Sequence, residues 1–434
     1  MAPDRPHPSG RPHTPGPPGA APGPAAFSRI GDFAMTVTKS SPRPNTHFMD
    51  TDARALASYL VSTYYSVAVL VPDAPGAWRT SISHAEEAHM SITEETTQNH
   101  RPEAILARNR ALFEPALHAA IDRLPAAVRP AVTYHFGHHD EYGAPTHTTS
   151  GKAIRPALVL LAAEAVGGTP AAAVPAAVAV ELVHNFSLLH DDVMDGDTTR
   201  RHRPTAWTVF GANTAILAGN ALLTLAMDVL AAEGHGASRD GLRMLSSTVF
   251  DLVNGQQNDL DFERRWDVDL DECVRMAEDK TSALLGHACA VGATFGGGKD
   301  RVEPLREFGR SFGTAFQHID DLLGIWGRPD ITGKPIHSDL RSRKKSLPVV
   351  AALTSKTPSG NTLADLYLSD RELSEADLVR AAELIEAAGG RRWSQEQADT
   401  LLDRALDVLY STDLAPRPAE ELRALARFAV HRTH

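Results

Sequence analysis

From about Pro102 to the C-terminus, apolar residues recur at i, i+3, i+4 and i+7, the spacing that buries one face of a helix. The pattern predicts helices over residues 104–124 (AILARNRALFEPALHAAIDRL), 155–166, 176–195, 213–233, 241–263 and 270–296. Their long Ala-rich stretches allow helices to approach closely. Clusters of Gly and Pro predict the breaks: GGTP at 167–170, GHGAS at 234–238, GGGKD at 296–300 and GRPDITGKP at 327–335. No window of alternating polarity is long enough for a sheet, and nothing repeats at a fixed period. The expected fold is a large all-α bundle whose core can hold a site built from facing helices.

The N-terminal part reads differently. Residues 1–25 contain nine prolines and four glycines and almost nothing to bury. Such a stretch cannot offset its ordering entropy and is expected to be disordered, and residues 26–50 are little better. The expected division is a disordered Pro/Gly/Ala-rich extension over 1–98 and a helical domain over 99–434. Residues 55–71 are apolar but fall short of the ~20 residues of a membrane span and carry Ser, Thr and Tyr, so no span is expected. The start lacks the apolar stretch of a signal peptide. Met35, Met49 and Met90 all precede the helical domain and are alternative starts. A formal net charge of −11 argues against nucleic acid as a partner. The two cysteines, Cys273 and Cys289, lack metal-ligand spacing, which suits a reduced, cytoplasmic chain.

Two aspartate clusters carry the candidate chemistry: HDDVMDGDTTRRHRPT at 190–205 and FQHIDDLLGIWGRPDITGKP at 316–335. On a helix, Asp191 and Asp195 stand one above the other, with Asp192 about 100° round from Asp191. Carboxylates so close repel one another unless something cationic lies between them. Arg200, Arg201 and Arg203 follow the first cluster, and Lys334, Lys344 and Lys345 follow Asp320 and Asp321. Carboxylates, arginines and lysines in this arrangement suit Mg²⁺ completed by substrate phosphates. The plainer alternative is a solvated acidic helix end followed by a basic loop, which a second cluster of the same make-up disfavours.

Six blocks in order resemble the trans-isoprenyl diphosphate synthases of the polyprenyl synthetase family: TSGKAIRP (149–156), ELVHNFSLLHDDVMDGDTTRR (181–201), GQQNDLDFE (255–263), EDKTSALLG (278–286), GTAFQHIDDLLGIWG (313–327) and TGKPIHSDLRSRKKSLPV (332–349). They span roughly residues 103–434. The resemblance implies an isoprenoid synthase-type helical bundle, a homodimer, and two or three Mg²⁺ ions. The implied reaction joins isopentenyl diphosphate to an allylic diphosphate. The allylic C–O bond ionises, the isopentenyl double bond attacks the cation, and the departing diphosphate takes the proton that is lost.

By the same resemblance, Asp191, Asp192, Asp195 and Asp320 are metal ligands, with Asp321 supporting the second cluster. Arg200, Lys280 and Lys334 hold the allylic diphosphate. Gly151, Lys152, Arg155, His184 and Arg201 form the isopentenyl diphosphate site. Thr281, Phe316 and Gln317 line the reacting centre, Gln256 and Asp259 lie close behind the metals, and Lys344 faces phosphate. Plain alternatives exist for several of these: an exposed helix start for Lys152 and Arg155, a core histidine for His184, a surface lysine for Lys280 and a core ring for Phe316. Three positions depart from the family pattern. Gly324 stands where many relatives have a third aspartate, which leaves one metal with fewer protein ligands; Arg328 and Asn220 each replace an acidic residue.

Product length in this family is set in a tunnel below the first cluster. Ser187 and Phe186, four and five residues before Asp191, put a small side chain and then an aromatic on that face. The combination resembles geranylgeranyl diphosphate synthases, with Phe186 as the tunnel floor and a twenty-carbon product; a farnesyl or longer-chain synthase is the neighbouring alternative. A class I terpene cyclase would need a second metal motif, but at Asn258-Asp259 its Ser and Glu positions hold Phe262 and Trp266. A non-catalytic paralogue acting through protein contacts is a further alternative. The extension resembles the N-terminal segments of prenyltransferases packaged in bacterial protein shells, which implies a docking arm for a compartment shell.

Overall fold

The computed structural model of the chain describes residues 101–146, 151–232, 236–329, 335–367 and 371–431. The extension, its boundary with the helical domain and its docking arm therefore lie outside the described residues. Helices dominate the rest: α1 (Pro102–Ile121), α2 (Arg129–His135), α3 (Ile154–Ala165) and α4 (Pro170–Met194) precede a small β-hairpin of β1 (Thr199–Arg200) and β2 (Arg203–Pro204). Then come α5 (Ala206–Phe210), α6 (Ala212–Ala232), α7 (Ser238–Arg264) and α8 (Leu270–Ala277). A π-helical turn (Glu278–Ser282) leads into α9 (Ala283–Phe295) and α10 (Val302–Trp326). The chain closes with α11 (Ser338–Arg341), α12 (Leu347–Leu353), α13 (Pro358–Tyr367), α14 (Glu375–Ala387), α15 (Gly390–Ser411) and α16 (Pro416–Val430).

The expected helices are present, with two physical differences. α4 begins six residues ahead of the expected 176, because Pro170 can occupy a first-turn position whose N–H needs no partner. The expected helix over 270–296 is interrupted by the π turn, where one extra residue per turn is accommodated. α8 starts at a capping box in which Asp269 accepts from the Glu272 N–H and the Glu272 side chain reaches back.

α4 packs along α3 and α6, α9 lies against α3 and α10, and α10 runs along α15. Small residues set the distances between these axes. A Cβ at Gly292 of α9 would overlap the Val159 carbonyl oxygen of α3 and stand 2.9 Å from the Ala162 Cβ. The main core runs through Leu158, Leu160, Leu161, Leu182, Leu222, Phe308 and Phe312, all fully buried. Cys273 and Cys289 are buried and unbridged.

Two helices, Pro170–Met194 and Ala212–Ala231, are long and apolar enough to cross a membrane by length and composition. α4 spends that character inside the bundle. On α6, however, Ile216 (39% exposed) and Leu217 (57%) face outward, as do Phe250 (73%) and Val253 (57%) on neighbouring α7.

Replacing Gly292 by Val should force α3 and α9 apart and cost about 2–3 kcal/mol, the usual range for overpacking a close helix contact. Urea unfolding of the variant against the unaltered protein would read this as a lower midpoint at unchanged slope.

Candidate active site

Four helices deliver their functional side chains to one cavity of about 460 Å³. α4 brings the first cluster at its C-terminal end, with Asp191 in the last turn and Asp195 at the C-cap. The second half of α10 brings Phe316, Gln317, Asp320 and Asp321. α7 contributes Leu252 and Asp259, and the π turn contributes Lys280 and Thr281. The N-terminal edge of α3 supplies Gly151, Lys152 and Arg155, the hairpin supplies Arg200 and Arg201, and the segment before α12 supplies Lys344.

Local geometry explains why these residues stand where they do. Gly151 has φ 93°, a left-handed conformation that suits glycine, and a Cβ there would sit 3.0 Å from an Arg201 guanidinium nitrogen. Arg110 donates to the Gly151 carbonyl from behind. Gly255 of α7 has no side chain to hold off the π turn, and a Cβ there would lie 2.8 Å from the Lys280 Cα. The bulged turn therefore seats directly on α7.

Charge is neutralised pair by pair. Lys280 Nζ donates to Asp259 Oδ2 at 2.5 Å. Burial would raise the Asp259 pKa, but Lys344 and Lys280 outweigh it and hold the carboxyl below its ordinary range. Burial would likewise lower Lys344, yet the carboxylates of Asp259, Asp339, Asp321 and Asp195 hold its ammonium charged well above the ordinary range. His184 is driven well below 6.5 by burial and then by Arg155, Arg201 and Arg200, so it stands as neutral imidazole, 3.4 Å from Arg155 Nη1.

A relay of hydrogen bonds crosses the floor. Thr281 Oγ1 donates to Gln317 Oε1 (2.6 Å), and Gln317 Nε2 donates to Asp321 Oδ1 (2.7 Å). The backbone N–H of Leu347 donates to Asp321 Oδ2 (2.9 Å). With Thr281 spending its proton on Gln317, its oxygen lone pairs are left for the cavity.

The carboxylates fit a hard divalent cation. Burial pushes Asp191 up to about 6 against the pull of Lys280, and pushes Asp321 up to about 7 against that of Lys344. Among the described residues no three His, Cys, Asp or Glu side chains form a group able to hold an ion unaided. Mg²⁺ takes one or two carboxylates and leaves its other positions to water and phosphate oxygens, so Asp191, Asp195 and Asp320 on the cavity wall are donors of the right kind for it.

Most of the expected site residues line this cavity, and three described ones do not. Asp192, expected among the metal ligands, is 1% exposed and turned to an adjoining cavity. There it accepts from Arg200 Nε at 2.7 Å, because the 100° step from Asp191 carries it off the shared face. Phe186, expected as the tunnel floor, is buried in the core with its ring edge-on to His190, 4.8 Å between centroids; the neighbouring Ser187 lines the cavity instead. Gln256 stands behind, donating to Asp195 Oδ1 at 3.4 Å. Lys334 lies outside the described residues. Sequence reasoning missed the apolar wall of Leu188, Leu252, Met276 and Leu284, and also the buried Glu181. Spacing carried the signal: Leu188 is four residues after His184, Leu252 seven before Asp259 and Leu284 four after Lys280.

Comparison with known proteins places these features in a group. Residues 141–385 match the sequence profile of the polyprenyl synthetase family. Residues 35–81 match a second profile, described as type 2A encapsulin shell protein, SrpI-like. The (2E,6E)-farnesyl diphosphate synthase of Mycobacterium tuberculosis is 47% identical over 332 residues, covering 76% of this chain and 92% of that one. The geranylgeranyl diphosphate synthase of the same organism is 43% identical over 317 residues, covering 72% and 91%. Among solved structures, a polyprenyl synthetase from Streptomyces coelicolor superposes with a TM-score of 0.73 at 45% identity, covering 75% of this chain and 99% of that one. A geranylgeranyl pyrophosphate synthase from Corynebacterium glutamicum, solved with isoprenyl diphosphate and magnesium, superposes with a TM-score of 0.64 at 26% identity, covering 76% and 98%.

Asp191 and Asp321 hold their protons to higher pH in the folded protein than in the unfolded chain. Their contribution to stability is therefore full below about pH 4 and is lost as pH rises through about 6 and 7. A divalent cation needs them unprotonated. The apparent affinity for MgCl₂ in the presence of inorganic diphosphate should be about tenfold or more weaker at pH 5.5 than at pH 8. Thermal shift across a Mg²⁺ titration at each pH reads this, and an affinity flat with pH would contradict it.

Proposed function

This chain belongs to the polyprenyl synthetase family, and on that premise we propose that the cavity joins isopentenyl diphosphate to an allylic diphosphate to give a longer trans-prenyl diphosphate. The observation that carries the reading is the division of one cavity into two anion-binding walls. Lys280, Arg200 and Lys344 stand with the two aspartate clusters, while Lys152, Arg155, His184 and Arg201 stand at the edge of α3. Two diphosphates in one cavity, one gripped beside the aspartate clusters and the other chiefly by Lys152, Arg155 and Arg201, is the arrangement that a condensation between them needs.

In this reading Asp191, Asp195 and Asp320 would hold Mg²⁺, which would supply charge neutralisation for the allylic diphosphate. Asp192 acts by holding Arg200. Lys280 and Arg200 bind the allylic diphosphate and keep the leaving group in place. Thr281 and Gln317 present oxygen to the allylic cation, and the apolar wall excludes water from it. Lys152, Arg155, Arg201 and neutral His184 fix the isopentenyl diphosphate so that its double bond reaches the cation. The proton lost from the adduct passes to the departed diphosphate.

The product proposed is twenty carbons long. What supports it is that Ser187, on the cavity wall below Asp191, is small, while the aromatic beside it is withdrawn into the core. A fifteen-carbon product is the second reading, favoured by the 47% identity to a farnesyl diphosphate synthase. The exposed apolar side chains of α6 and α7 support a homodimer closed over that face. In the same reading the catalytic domain begins at residue 99, after an extension over residues 1–98. The shell-protein profile over residues 35–81 supports an extension that docks the enzyme to a compartment shell in the cytoplasm.

Purified protein supplied with Mg²⁺, isopentenyl diphosphate and each allylic starter should yield a twenty-carbon diphosphate by mass spectrometry. Absence of elongation with every starter, in folded protein, would overturn the reading. Ser187→Phe should shift the ratio of twenty- to fifteen-carbon product by about tenfold or more toward the shorter chain, since a ring takes the space of the last isoprene unit. An unchanged ratio would remove Ser187 from the chain-length wall.

A further inference from the structure

At the edge of α3, one cation of the cavity wall rests on an aromatic ring from the far end of the chain. Lys152 Nζ stands over the face of Phe428, 5.1 Å from the ring centroid. Lys152 lines the cavity, whereas Phe428 belongs to the last helix, α16, and packs half-buried against the main core. Helix α16 runs antiparallel to α3 in a fixed register. The Ala415 N–H at its start donates to the Ala165 carbonyl at the end of α3 (2.8 Å). Phe428 follows Ala415 by thirteen residues, as Ala165 follows Lys152, so the end of α16 meets the start of α3. Between these points Glu421, 0% exposed, accepts from Arg108 of α1 and, at 3.1 Å, from Arg417 Nε. The backbone around the lysine is also set: Gly151 and Ala153 on either side have φ 93° and 53°, and Arg110 donates to the Gly151 carbonyl. A carboxylate in the ring's place would fix the ammonium and cancel its charge, as Asp259 does for Lys280. A ring face attracts the ammonium through its quadrupole and leaves the charge to an incoming anion.

We propose that Phe428 is a positioning residue for isopentenyl diphosphate: it holds the Lys152 ammonium at the cavity edge, so that the last helix of the chain sets the affinity of that wall. The inference rests on the prenyl-transfer reading of the cavity and deepens it. It assigns to the isopentenyl diphosphate site a residue that lies outside both the cavity lining and the six sequence blocks.

Isopentenyl diphosphate titrated into the full chain without Mg²⁺, followed by calorimetry, reads that wall without turnover. Phe428→Leu keeps an apolar side chain on the core and removes the ring. Its Kd for isopentenyl diphosphate, and the matching KM in elongation, should rise about two- to fivefold, the effect of losing an exposed cation–π contact. The kcat and the KM for the allylic diphosphate should not move. Phe428→Tyr keeps the ring and should retain the unaltered values. In a Lys152→Ala background Phe428→Leu should weaken binding no further, whereas a packing defect would act in both backgrounds. A Phe428→Leu Kd equal to that of the unaltered protein, a Phe428→Tyr variant no better than Phe428→Leu, or an equal rise in the Lys152→Ala background overturns the proposal. If the unaltered protein neither binds isopentenyl diphosphate nor elongates, it is the prenyl-transfer reading that fails. The ring-current shift of the Lys152 ε-methylene in ¹³C-lysine spectra then decides the part played by Phe428: its loss in Phe428→Leu supports the ring as the holder of the ammonium, and its absence from the unaltered protein overturns it.

Discussion

Keeping a crowd of carboxylates neutralised at the end of a helical bundle is the constraint on which the site depends. Removing one partner from a buried ion pair leaves an uncompensated charge and costs far more than the pair contributes. Arg200 on Asp192, Lys280 on Asp259 and Lys344 among four carboxylates therefore form a set that cannot be thinned one member at a time. The balance is struck short of completion at Asp191 and Asp321, whose pKa values remain raised by burial. In the proposed reading an incoming cation would displace those protons and complete the balance.

Backbone proximity is the second requirement, and glycine meets it at particular contacts. Gly255 lets the π turn rest on α7, and Gly151 lets the Arg201 guanidinium lie across the edge of α3. In both cases the side chain that matters belongs to the partner element. The glycine's part is to leave its own position empty.

Much of the bundle was legible in the sequence, because a buried helix face writes itself as a period of 3.6 residues and α1, α3, α6 and α7 follow that period to within a few residues. The candidate residues were legible as blocks, since spacing on a helix fixes which carboxylates share a face. What periodicity could not convey was direction between elements. The resemblance named Asp192 a metal ligand and Phe186 the tunnel floor, and it carried no sign that Asp192 pairs with Arg200 or that the Phe186 ring lies edge-on to His190. Periodicity also ran α8 and α9 together, because a π turn changes the hydrogen-bond register without disturbing the apolar pattern. The apolar wall went unread for another reason: its spacing from His184, Asp259 and Lys280 was in the sequence, but the same spacing fits a leucine of any core face.

The π turn has a consequence for how such a protein could change over time. Its looser hydrogen bonding is a local defect, and loss of a single residue between Glu278 and Ser282 would heal it into one continuous helix through α8 and α9. The healed chain would turn everything on one side of the deletion by about 100° relative to the other, swinging Lys280 and Thr281 away from Asp259 and Gln317. Selection for thermal robustness alone would thus favour a chain that keeps the bundle and discards its chemistry. Folding alone does not call for the irregular turn; setting Lys280 against Asp259 and Thr281 against Gln317 does.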